Sequence, residues 1–125
     1  MVNRRLMLAL GLCGGLLGAG LALAHGEAKP RHGGVVQKAS DLSFELVPQA
    51  GGAALYIEDH GQPLPVAGIS GKLTMLNGAD KHEAELRPAG DRLDAPGVTL
   101  AAGSKAVASV TLADKKTLTL RFVIK

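Results

Sequence analysis

"DLSFELV", Asp41 to Val47, alternates apolar and polar residues at nearly every step: Leu42, Phe44 and Leu46 share one face, Asp41, Ser43 and Glu45 the other. Period two is the pleat of a β-strand, so this stretch reads as a strand with one buried and one wetted face. "KTLTLRFVIK", Lys116 to Lys125, repeats the device, with Leu118, Leu120, Phe122 and Ile124 set against Thr117, Thr119, Arg121 and Lys125.

Working outward, "AALYIED" offers Leu55 and Ile57, "GKLTMLN" offers Leu73 and Met75, and "HEAELRP" offers Ala84 and Leu86, each run closing on a turn signal. Between the last two, "NGAD" places Asn77-Gly78 where a tight hairpin needs positive φ. Weaker strands are "GVVQKA" from Gly34, "GVTLAA" from Gly97, and "AVASVTLA" with Ala108, Val110 and Leu112 in phase. No window carries a helical stripe. Seven or eight short strands at even spacing predict an all-β fold, an antiparallel immunoglobulin-like β-sandwich. The Cys and Trp hallmarks of that fold are absent, and a small barrel would produce the same pattern.

The front of the chain has another character. Arg4 and Arg5 precede "LMLALGLCGGLLGAGLALA", an apolar run ending in Ala22-Leu23-Ala24. Basic, apolar and small-x-small segments in that order are a secretory signal peptide, with the cut expected after Ala24. A retained membrane anchor competes, since the run nearly spans a bilayer; two glycine-rich patches and a well-formed cleavage site count against it. Cys13 follows Leu12, where a lipoprotein site wants a small residue, so it leaves with the leader.

Residues 1–24 are thus the expected cleaved signal, residues 25–32 a flexible polar arm, and residues 33–125 the β-sandwich domain. The expected destination is the periplasm, with no membrane span after cleavage. With Arg4 and Arg5 gone, twelve basic residues face eleven acidic ones, and the net charge falls from +3 to +1. A near-neutral chain of interspersed signs has no electrostatic footprint for nucleic acid. No cysteine remains, which excludes disulfides and thiolate chemistry, and Met75 is the one sulfur ligand left.

Catalysis has little footing. "GISGK" from Gly68 is neither a nucleophile elbow nor a phosphate loop, and the carboxylates alternate with basic residues on solvent faces. With Phe44, Tyr56 and Phe122 as the only aromatics, and both phenylalanines in core phase, no stacking platform for sugars exists. The chain reads as no enzyme, with no organic cofactor.

Histidine is the remaining chemistry, and His25, His32, His60 and His82 all follow the leader. After a cut at Ala24, His25 would own a free α-amine and an imidazole able to chelate one ion, and copper(II) suits such nitrogens. His32 would add a third nitrogen if the arm folds back, with Glu27 or water completing the set. His60, in "EDHGQPLP", has Asp59 beside it as a co-ligand, set against its plain role as a turn residue. His82 shares phase with Ala84 and Leu86 and reads as a satisfied edge histidine, and Met75 as packing that matters only for copper(I). The metal candidates are His25, His32, His60 and Asp59, for copper(II) or zinc.

The runs "HGGVVQKASDLSFELV", "LYIEDHGQPLPVAGISGKLTML" and "HEAELRPAGDRL" also carry a resemblance. They resemble the small β-sandwich domain near the front of periplasmic adaptor subunits of heavy-metal efflux systems of the cobalt-zinc-cadmium type. The match rests on His32-Gly33-Gly34, the Asp41 to Val47 strand, the Leu55 to Gly61 strand and turn with Pro63, and Pro88 to Leu93. The chain lacks the helical hairpin, lipoyl-like and barrel parts of an adaptor, so pump assembly does not carry over. The resemblance implies a free-standing secreted relative that sequesters or hands over copper or zinc in heavy-metal resistance, with an efflux system or other envelope protein as partner. His32 alone is carried over by position. A looser similarity is to periplasmic copper-binding sandwiches that begin with histidine, to which His25 corresponds. The alternative function is a metal-free interaction module whose sheet edge pairs with an envelope protein.

Overall fold

The computed structural model describes residues 29–125. The expected signal peptide, its cut after Ala24, His25, Glu27 and the front of the arm lie outside the described residues. Nine strands follow: β1 (Val35–Ala39), β2 (Leu42–Gln49), β3 (Gly52–Asp59), β4 (Gln62–Pro63), β5 (Ser70–Asn77), β6 (Asp80–Ala89), β7 (Arg92–Pro96), β8 (Lys105–Thr111) and β9 (Thr117–Val123). Among the described residues no helix is long and apolar enough to cross a membrane.

All pairings are antiparallel, as the hairpin spacing predicts. Several joins are two-residue loops. Ser40 and Asp41, at φ 53° and 65°, link Ala39 to Leu42, while His60 and Gly61, at 52° and 82°, link Asp59 to Gln62. Positive φ at both central residues matches the right-handed twist of the flanking strands, and Asp, His and Gly tolerate it. The hairpin predicted at Asn77-Gly78 turns one residue later than expected: Asn77 pairs with Asp80, and Gly78, at φ 63°, supplies the bend.

The strands form one path, β1-β2-β3-β7-β6-β5-β8-β9, with β4 on the side of β3. β6 is the corner. Its first seven residues pair with β5, and Arg87 to Ala89 pair with β7, so one strand belongs to both halves of the sheet. The two ends of the path, β1 and β9, come alongside each other and nearly close the sheet into a barrel.

Two local expectations differ. "GVTLAA" is not a strand: Gly97 turns at φ 84°, and its N–H donates to the Gly51 carbonyl at 2.7 Å, which carries the chain away from the ladder. The strand of that region is instead β7, whose Leu93 and Ala95 are buried on one face while Arg92 and Asp94 stay half-exposed on the other. That alternation is short and interrupted by charge, so a longer apolar run downstream outweighed it.

The alternating apolar residues fill the interior. Phe44, Leu46, Leu55, Leu73, Leu93 and Val110 are fully buried, and Phe122 and Leu86 nearly so. These are the faces the period-two pattern assigns to the core. Transfer of a side chain such as Phe44 or Leu46 from water contributes about 1.5–3 kcal/mol each.

Candidate functional site

On the outer face of the sheet, one side chain breaks the pattern. Glu45 stands in the polar phase of β2, yet it is only 6% exposed. A buried carboxylate must be hydrogen-bonded, and the cover over Glu45 supplies the donors. The segment before β1 crosses this face: the N–H groups of His32 and Gly34 each donate to Glu45 Oε2 at 2.8 Å, and that of Arg31 donates to Oε1 at 3.0 Å. The His32 ring adds a fourth bond, from Nδ1 to Oε1 at 3.0 Å. Burial pushes the Glu45 pKa up, but the His32 ring and the three backbone donors outweigh it and hold the carboxyl below its ordinary range.

The "HGG" motif explains how the strap sits so close. Gly33 adopts φ 78°, a left-handed bend that turns the strap into β1. Gly34 has a different reason, because a Cβ there would collide with the Leu46 carbonyl. Arg31 adds a clamp further out, its Nε 3.3 Å from Glu58 Oε2.

Two contacts orient the His32 ring. The bond to Glu45 fixes it through Nδ1, and Tyr56, directly across the ladder from Glu45, stacks on it with ring centroids 3.7 Å apart and planes within 5°. An ionised Glu45 can only accept, so Nδ1 carries the proton. In neutral His32 this leaves Nε2 as a lone-pair donor, the atom a metal takes, with the ring oriented by the carboxylate behind it. Beside Tyr56, Arg92 binds Asp94 at 2.8 Å, and Asp94 first and Tyr56 second raise its pKa.

The other candidates are placed separately. His60 lies on the β3–β4 turn with Nδ1 2.6 Å from Asp59 Oδ1, its side chain 84% exposed. Asp59 thus engages the Nδ1 side of the His60 ring. His82 is exposed on β6, and its expected hydrogen-bond partner is absent among the described residues. Met75 is buried in the core.

Among the described residues, no three His, Cys, Asp or Glu side chains gather into a group that could hold an ion. Sequence reasoning missed Glu45 and Tyr56. Their alternation marks both as solvent-facing, and only the strap, arriving from 11 to 14 residues earlier in the chain for Glu45, covers them. The chain was compared with protein-family models, with curated proteins and with solved structures, and none matches it.

Proposed function

We propose that this protein is a periplasmic metal-binding protein, a carrier of copper(II) or zinc that serves heavy-metal resistance and has no enzymatic role. The observation that carries this reading is the Glu45–His32 pair, 3.0 Å apart, which leaves Nε2 as the free donor. The reading takes residues 1–24 as a signal peptide cut after Ala24, and treats the two halves of the sheet as the faces of a sandwich. His25 then brings its α-amine and imidazole to the ion, and His32 adds Nε2 from the anchored end of the arm. Such nitrogens suit copper(II) in a tetragonal set and zinc in a tetrahedral one. The Asp59–His60 pair offers a further imidazole on an exposed turn. The resemblance to efflux adaptor domains supplies the direction of transfer, toward an efflux system or another envelope protein.

The test starts by determining the mature N-terminus by intact mass. Copper(II) and zinc are then titrated into the parent protein and into His25→Ala, His32→Ala and Glu45→Gln. Either histidine variant should lose at least tenfold in affinity, and Glu45→Gln about 10- to 100-fold, because a carboxylate behind a ligating imidazole tunes it. Absence of any binding tighter than millimolar would overturn the proposal. The second reading, a metal-free module that pairs with an envelope protein through a sheet edge, would then stand. It is favoured by the two ends of the sheet, β1 and β9, which come alongside each other without a ladder pairing them.

A further inference from the structure

Away from the strap, a cleft of about 210 Å³ opens between the β5–β6 hairpin and the loop at residues 97–104. We infer that it is a second metal site, for copper(I), held by the Met75 thioether and the His82 imidazole. Three observations carry the inference.

Met75 and His82 are direct partners across the antiparallel ladder, and both line the cleft. Directly opposed residues on one face have Cβ atoms about 4.5–5.5 Å apart, a spacing their side chains can close around one ion.

The donors are soft and differently exposed. Met75 is 3% exposed and forms part of the cleft wall, so its side chain is shielded from bulk water. Thioether sulfur selects copper(I) over the harder divalent ions. His82 is exposed at the mouth. The rings of His32 and His60 are tied to carboxylates, whereas that of His82 makes no hydrogen bond or ion pair among the described residues. Asn77 and Asp80, the next pair along the same face, add oxygens at the rim.

The opposite wall is held in place. Gly103 N donates to the Ile124 carbonyl at 2.8 Å, and Ile124 N donates to that of Ser104 at 2.9 Å, which fasten the loop to the end of β9. The cleft therefore keeps its width while the donors are held by the β5–β6 ladder. Packing alone accounts for the burial of Met75, but leucine would serve packing equally well, so the two roles can be separated. The ion is bound and released as copper(I), and no electron is transferred.

The experiment uses the full chain carrying Cys13→Ser, which removes the one thiolate that would capture soft ions, with ¹³C-methyl-labelled methionine and silver(I) as a redox-inert probe. Anaerobic copper(I) competition against a chromophoric chelator accompanies it. The Met75 methyl resonance should shift and saturate at one equivalent of silver(I). Copper(I) affinity should fall at least tenfold in Met75→Leu and in His82→Ala, with copper(II) affinity unchanged. A Met75 methyl that silver(I) does not move, or a Met75→Leu protein that binds copper(I) like the parent, overturns the inference. Should Met75→Leu fail to fold, His82→Ala and the methyl shift decide, since His82 is a surface residue. The site does not rest on the arm: His25→Ala and His32→Ala should leave the Met75 methyl response intact, so the two readings can fail separately.

Discussion

Glu45 is the residue on which the site turns. It accepts three backbone N–H bonds and one ring N–H bond, so replacing it strips partners from several donors at once. Glu45→Gln should lower stability by about 1–3 kcal/mol, the usual cost of losing a charged hydrogen-bond partner at a buried site, measurable by urea denaturation. Its titration gives a second expectation. Folding lowers the Glu45 pKa, so the unfolded chain binds more protons in that range. The stabilisation is complete above the ordinary glutamate range, and is lost as pH falls through the lower folded value. Tyr56 is the only tyrosine in a chain without tryptophan, and His32 stacks on it, so its fluorescence reports the strap directly. A reversible change on acidification, absent from Glu45→Gln, is expected; a signal flat until global unfolding would contradict the assignment.

At the level of elements, the strap and the turns carry different constraints. Gly34→Ala places a methyl against the backbone carbonyl of Leu46, which cannot swing aside as a side chain can. It should cost about 1–3 kcal/mol, the usual penalty for overpacking, and release the stack on Tyr56. Gly33→Ala meets open space and pays only for its left-handed backbone, about 1–2 kcal/mol. Comparing the two by thermal melts and Tyr56 fluorescence tests whether close approach or backbone conformation dominates. The strands themselves were legible: Leu42, Phe44 and Leu46, and Leu120 and Phe122, lie buried as the alternation required. β7 was not, because its five residues put Arg92 and Asp94 among the apolar ones, and β4, two residues long, is below what any pattern can show.

For the whole molecule, the two longest alternating runs end up near each other's edges: β1, paired to β2, comes alongside β9. Phe122 on β9 is 1% exposed in the interior this arrangement closes. Phe122→Ala should therefore cost about 3–5 kcal/mol and lower the denaturation midpoint of the whole domain, with no separate transition for β8 and β9. The candidate site was half legible on the same grounds. His32 and the "HGG" turn stand in the sequence, while Glu45, Tyr56 and the Met75–His82 pairing needed the fold. By itself the sequence determined what depends on neighbours along the chain: the pleat, the buried face of each main strand, the turn at His60-Gly61 and, within one residue, the turn at Gly78. The tertiary structure alone decided the order of the strands, the sharing of β6 between two partners, and the burial of Glu45 under the strap. Alternation says which way a side chain points, whereas what comes to cover it is chosen by packing between segments far apart in the chain.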